Sequence, residues 1–297
     1  PRTMAPMTTR PFLLAPSLAE RVWGGDRLGA GIGEAWDLSI HPNGPANVRT
    51  GPDAGRRLAD LVAERPDDFG GGIDLLAKRL YCAAPLSVQV HPTEGDPKTE
   101  AWVVLDADPG AGVYLGFRSD VTADEVATRA VDGTVAELLH FVELRAGDAV
   151  LVPAGTVHAI GGGLLLFELQ QSSDTTYRLF DWGREGRELH LEAGLAVADL
   201  GPAAPPSPPT TVGEGVERLV ACDHFVIDRL RVDRVANHVV DPGARWAALH
   251  VAAGRARAAG LDLDAGDTLV VPRSAGVVAV DAGEGFVGLR YGPTVAG

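Results

Sequence analysis

Residues 147–161 read GDAVLVPAGTVHAIG. Gly147 and Asp148 suit a turn, and the apolar run 149–152 suits a buried strand. Pro153, Ala154 and Gly155 turn the chain again, and His158 opens the next strand. The phrase returns at 266–280 as GDTLVVPRSAGVVAV, with Gly, Asp and Pro at the same offsets. His158 has no counterpart there, where Val277 or Val278 takes its place. Two β-units of one type, only the first keeping its polar group, fit a duplicated fold with one active copy.

The rest of the chain agrees. Strand-like runs bounded by Gly, Pro or Asp fall at 35–40, 86–91, 101–105, 112–116, 164–170 and 176–181. Many short strands with turn signals between them point to a mainly β sandwich or barrel, not to alternating βαβ units. Short helices are expected at 55–69, 122–141 and 190–200, the second opened by Thr122 with Glu125 three residues on, the capping-box spacing. The proline-rich stretch 201–215 reads as a linker. The expected division is a catalytic barrel with small helical decorations over 1–200, the linker, and a smaller degenerate β-unit over 216–297.

With 297 residues, 45% of them hydrophobic, the chain can bury a substantial core. Its net charge of −14 repels nucleic acid and anionic membranes, so neither is an expected partner. No apolar run approaches the roughly 20 residues that span a bilayer. The apolar stretch near the start is too short for a secretory signal, and two cysteines without metal spacing fit a reducing, cytoplasmic setting. An anionic substrate therefore needs a local cationic pocket. Only two of the 26 basic residues are lysines, Lys78 and Lys98. Lysine is a compact charge whose pKa can be lowered for proton transfer, whereas arginine stays charged.

Lys78 precedes LSVQVHPTEGDPKTEAW (86–102) and Lys98 lies within it. On a strand, Leu86, Val88 and Val90 share one face, and Ser87, Gln89 and His91 the other. Glu100 begins the next strand after eight intervening residues. Antiparallel neighbours would aim Gln89, His91 and Glu100 at one point. With His158 they offer two imidazoles, a carboxylate and an amide oxygen, a set that zinc takes while leaving a position for water or substrate. Iron, manganese or cobalt could also occupy it. Lys98 lies two residues before Glu100 and is a candidate acid/base there. A surface lysine paired with Glu94 or Asp96 is the simpler reading.

Gly-x5-Pro-x-Gly-x2-His, matched through His158, and the run from Gln89 to Glu100 resemble the two motifs of the cupin barrel, the double-stranded β-helix or jelly roll. Gln89 stands where many cupins have histidine. SVQVHP…KTEAW, PAGTVHAI, ELQQSSDTTYRLFDWGR and RVWGGDRLGAGIGEAWDLSIHPNGP together resemble the type I mannose-6-phosphate isomerases, from about Pro11 to Leu195. The resemblance implies one zinc ion per chain held by Gln89, His91, Glu100 and His158. It also implies reversible conversion of D-mannose 6-phosphate and D-fructose 6-phosphate through a cis-enediol. Arg178 would be the catalytic arginine, stabilising the enediolate or holding phosphate, and Glu168 a second acid/base candidate beside Lys98. Ser87, Lys78 and Arg184 would bind phosphate, Asp174 belongs to the same motif as Arg178, and Trp23 and Glu34 would line the rim. The expected partner is a small sugar phosphate, and the expected assembly a monomer or weak homodimer. Two alternatives stay open: a cupin isomerase or epimerase acting on another sugar or sugar phosphate, and a non-catalytic sugar-binding cupin.

Overall fold

A computed structural model describes residues 9–232 and 236–294. In chain order the first elements are β1 (Phe12–Ala15), β2 (Ser17–Gly25), β3 (Ile32–Leu38), β4 (Asn47–Val48), α1 (Leu58–Glu64), β5 (Leu75–Cys82), β6 (Val88–Val90), β7 (Glu100–Ala107) and β8 (Gly112–Phe117). They continue with α2 (Ala123–Asp132), β9 (Leu139–Glu143), β10 (Ala149–Val152), β11 (His158–Ile160), β12 (Leu164–Gln171), β13 (Tyr177–Phe180) and α3 (Leu191–Val197). Ten further strands follow: β14 (Thr210–Gly213), β15 (Val216–Ala221), β16 (Phe225–Arg231), β17 (Ala236–Val240), β18 (Trp246–Ala253), β19 (Arg255–Ala258), β20 (Leu261–Asp264), β21 (Thr268–Pro272), β22 (Val278–Ala282) and β23 (Val287–Pro293).

The described residues fall into two compact units. One comprises Leu18–Ala35 and Leu76–Ser207. The other comprises the described residues through Ser17, Trp36–Leu75 and the chain from Pro208 onward. This differs from the division at 1–200, 201–215 and 216–297. Backbone pairing is the reason: β1 pairs with β21 through Phe12↔Val270, and β4 pairs with β1. The proline-rich stretch is partly strand, since β14 pairs with β15.

In the first unit a six-stranded sheet runs β10-β7-β12-β5-β3-β2, and a five-stranded sheet runs β13-β6-β11-β8-β9. In the second, an eight-stranded sheet runs β14-β15-β16-β23-β18-β21-β1-β4, and a four-stranded sheet runs β17-β22-β19-β20. The orders correspond strand for strand. β10-β7-β12-β5-β3-β2 reappears as β21-β18-β23-β16-β15-β14, and β6-β11-β8-β9 as β17-β22-β19-β20. The fold is thus one jelly-roll topology used twice. The Gly-Asp phrase is the same turn in both copies. Gly147 N–H donates to the Val104 carbonyl (2.8 Å) and Val104 N–H to that of Asp148 (2.9 Å). Gly266 and Val251, then Val251 and Asp267, repeat this at 2.8 and 2.9 Å. Each aspartate accepts the backbone N–H three residues back, from Arg145 and from Asp264. Both glycines hold the positive φ this turn requires, 97° and 93°.

Within the first unit, Trp102 and Val104 of β7, Val150 and Val152 of β10 and Leu164 and Leu166 of β12 pack on Val113 and Leu115 of β8. Burying such a side chain contributes roughly 1.5–3 kcal/mol. Further along β12 the same alternation brings Glu168 and Gln170, both buried. The interior is therefore apolar toward one end and polar toward the other, and the polar end holds the site.

The helix expected over 122–141 is shorter. The Thr122 side chain does accept the Glu125 N–H (3.2 Å), as the capping box requires. But α2 ends at Gly133, which takes the left-handed conformation (φ 83°) and donates to the Arg129 carbonyl. Residues 135–138 form a 3₁₀ turn, and β9 follows. A Cβ at Gly133 would meet only the Phe180 ring at 3.9 Å. Gly133→Ala is therefore expected to destabilise through the backbone alone, by about 1–2 kcal/mol, read as a lower denaturation midpoint with an unchanged slope.

Candidate active site

The pairing of β11 with β6 places His158 directly opposite Gln89, and β13 places Arg178 on the other side of Gln89. Glu100 opens β7 across from Gln170 of β12. His91, Glu100 and His158 are each 1% exposed, and their ligand atoms all lie within 4.8 Å of one another. His91 Nε2 is 3.2 Å from Glu100 Oε2, and His158 Nε2 is 3.4 Å from Glu100 Oε1. Donors about 2.0–2.1 Å from one tetrahedral ion stand about 3.3 Å apart, so this spacing suits a single zinc-sized centre.

The hydrogen bonds around the cluster set the tautomers. His91 Nδ1 faces the Thr175 carbonyl (2.9 Å), and His158 Nδ1 faces the Thr156 carbonyl (2.8 Å). A carbonyl only accepts, so both rings carry their proton on Nδ1 and turn the Nε2 lone pair inward. Burial, and for His91 the nearby Lys98, pushes these imidazoles down, His91 to about 4, so both are neutral near pH 7 as metal ligands must be. Burial opposes the Glu100 charge. Lys98 outweighs it and holds that carboxyl well below the usual carboxylate range. Glu100 Oε2 is buried and accepts no well-directed hydrogen bond, although Lys98 Nζ is 2.8 Å away. The donor set, tautomers and spacing fit a divalent cation.

Gln89 meets the cluster with its amide nitrogen, 3.3 Å from His158 Nε2, while its Oε1 accepts from Ser87 Oγ (3.0 Å). A ligand role needs the amide turned by half a turn, which exchanges two atoms of nearly equal size.

A cavity of about 480 Å³ adjoins the cluster. Both lysines line it, as do Trp23, Glu34, Ser87, Gln89, Glu168, Asp174 and Arg178. Lys98 is no surface residue: it is 6% exposed, and its Nζ also lies 3.2 Å from His91 Nε2. Burial works against its ammonium, but the Glu100 and Glu168 carboxylates raise its pKa overall. Glu168 Oε2 accepts from Trp102 Nε1 (3.0 Å), and its Oε1 is 3.5 Å from Lys78 Nζ. Burial and the Glu100 charge push the Glu168 carboxyl up. Arg178 donates from Nη1 to the Glu188 carbonyl (2.8 Å), and its buried Nε has no hydrogen-bond partner. Burial, then neighbouring Arg187, lowers its pKa. Trp23 is 3% exposed and packs on Leu80, Leu86 and Trp102, so it is wall as well as rim. Glu34 accepts from Arg21 Nη2 (2.8 Å).

Arg184 is placed differently from expectation. Among the described residues lining the cavity it does not appear, whereas Arg187 does. The chain turns tightly through Trp182 and Gly183, both at positive φ (56° and 76°). Arg184 thereby donates to the Pro85 carbonyl (2.8 Å) and to Asp181 Oδ1 (2.6 Å). Arg187 shares that carboxylate at 3.0 Å. Arg187 and Arg21 went unread because each stands among other charges with no distinguishing spacing. His190 also lay outside any motif, yet its Nδ1 accepts the Arg178 backbone N–H (3.2 Å).

A jelly roll used twice, with a buried His–Glu–His cluster in one copy, defines a cupin. No protein-family model matches the chain. Mannose-6-phosphate isomerase of Streptococcus mutans is 34% identical over 89% of this chain and 93% of its own length. Mannose-6-phosphate isomerase ManA of Bacillus subtilis is 36% identical over 75% and 80%. The crystal structure of the mannose 6-phosphate isomerase from Bacillus subtilis superposes with a TM-score of 0.86 at 26% identity, covering 96% of this chain and 100% of that one. A mannose 6-phosphate isomerase solved with zinc bound shares the fold, with a TM-score of 0.78 at 15% identity over 97% and 100%. The chain belongs to the mannose-6-phosphate isomerase family.

Proposed function

We propose that the chain interconverts D-mannose 6-phosphate and D-fructose 6-phosphate through a cis-enediol, with one zinc ion held by Gln89, His91, Glu100 and His158. The observation that carries this is the closed His91–Glu100–His158 cluster beside a cavity lined by Lys98, Glu168 and Arg178. Zinc, when bound, supplies Lewis-acid stabilisation of negative charge on the sugar oxygens.

The chain's own groups account for the rest. Lys98 or Glu168 moves the proton between C1 and C2. Glu168 is kept in place by Trp102 and poised by its raised pKa. Arg178 stabilises the developing enediolate or anchors the phosphate, with a rigid guanidinium whose buried Nε is uncommitted. Ser87 and Lys78 add polar contacts. Arg187 and Arg21, rather than Arg184, are further cations lining the cavity. Trp23, Glu34 and Asp174 shape its wall.

A coupled isomerase assay on mannose 6-phosphate tests this reading. Activity is expected to vanish after chelation and to return with zinc. Full activity in a metal-free preparation would refute the metal role. Turnover of a different aldose, with none of mannose 6-phosphate, would overturn the substrate assignment.

A further inference from the structure

The strand correspondence identifies what the second unit carries at each position of the metal centre. Glu100 pairs with Val152, whose counterpart in the repeated phrase is Val271, and Val271 pairs with Ala247. His158 corresponds to Val278, which is buried in the second unit's core, whereas Val277 is 60% exposed. Val240 pairs with Val278 as Gln89 pairs with His158, so Val240 and Pro242 stand where Gln89 and His91 do. The four metal ligands are replaced by Val240, Pro242, Ala247 and Val278, and none of these side chains can hold a cation.

The space has nevertheless been kept. A cavity of about 440 Å³ opens here, and Pro242 and Ala247 line it. Its charges are exchanged relative to the first unit. Glu168 lies opposite Trp102, and Trp102 opposite Val150; the same pairings in the second copy run through Leu269 and Leu249 to Arg290. Arg290 lines the cavity and donates from Nη2 to Asp228 Oδ2 (2.7 Å), where Glu168 faces Lys78. An acid with a basic partner has become a base with an acidic partner.

The charged lining of the cavity is Asp228, Asp241 and Arg290, and both carboxylates are already engaged. Asp228 is 3% exposed and accepts from Arg218 as well as Arg290, so one carboxylate faces two guanidiniums. Asp241 is turned back on its own loop, where its Oδ1 accepts the Gly243 N–H (2.9 Å). Arg290 spends one more donor on the Val239 carbonyl (2.9 Å), which leaves N–H groups over. Trp246 lines the same cavity, and its buried Nε1–H has no hydrogen-bond partner. We infer that the second unit carries a metal-free site for a small anion bearing a phosphate or carboxylate group, bound by Arg290 beside Trp246.

The intact protein labelled with 5-fluorotryptophan tests it. The chain has five tryptophans, and Trp23 lines the catalytic cavity while Trp246 lines this one, so ¹⁹F resonances separate the two sites. Titration with inorganic phosphate and, separately, acetate is expected to shift Trp246 saturably, and the stronger of the two names the group. Arg290→Gln keeps a donor and leaves Asp228 paired with Arg218. Val239→Glu, at a position 46% exposed, adds a carboxylate without disturbing the core. Each is expected to weaken the Trp246 response at least tenfold while isomerase activity stays unchanged. A response confined to Trp23, no response to either anion, or a Trp246 shift equally strong in both variants would overturn the inference.

Discussion

Glu100→Gln is expected to lower kcat/KM about a thousandfold and to abolish stoichiometric metal binding. The change keeps shape and removes charge. Glu100 stands between the two imidazoles at 3.2 and 3.4 Å, so the only anionic ligand of the set is lost. Lewis-acid stabilisation amounts to several kcal/mol, and ~4 kcal/mol corresponds to about a thousandfold. A second effect comes with it. Lys98 Nζ, 2.8 Å from that carboxylate and buried, loses its closest counter-charge. Removing one partner of a buried pair costs roughly 3–5 kcal/mol, so the variant should also unfold at lower denaturant. Metal analysis, steady-state kinetics and denaturation read the three consequences separately. A variant with full turnover and one metal per chain would show that the carboxylate is not a ligand.

Arg178→Ala is expected to lower kcat by about a hundred- to a thousandfold, or ~2.7–4 kcal/mol, while metal content stays at the wild-type level. Arg178 is paired across the strands with Gln89 and fixed at its backbone by His190 and at Nη1 by the Glu188 carbonyl. Such a donor is already oriented before charge develops, which is where a guanidinium contributes most. Arg178→Lys should rescue little, because an ammonium cannot keep the Glu188 contact and also present the Nε edge. The division between constants discriminates two roles. A fall in kcat places the arginine on the enediolate, and a rise in KM alone places it on the phosphate. Wild-type values for both would remove it from the site.

The meeting of His91, Glu100 and His158 was legible because alternation along a strand is a strict rule. Gln89 and His91 share a face whatever the rest of the chain does, and the His158 phrase fixes the neighbouring strand. The Gly-Asp turn was equally readable, since its hydrogen bonds are local. Less legible was anything set by distant pairing. β1 joins β21 across most of the sequence, and no local pattern announces it. The end of α2 at Gly133 was hidden by the apolar residues that continue past it into β9. Arg184 and Arg187 look alike in sequence. Asp181 takes up both, and only the tight turn at Trp182 decides which of them reaches the Pro85 carbonyl.

Both lysines of the chain are buried, Lys78 at 4% and Lys98 at 6% exposure, and both line the cavity beside the His91–Glu100–His158 cluster. Every cation on the outer surface is therefore a guanidinium or an imidazole. The exterior presents no side-chain amine to acylating reagents, amine-directed cross-linkers or lysine-modifying enzymes. A reagent small enough to enter the cavity would find its only side-chain amines beside the catalytic groups, so acylation stoichiometry and loss of turnover would rise together.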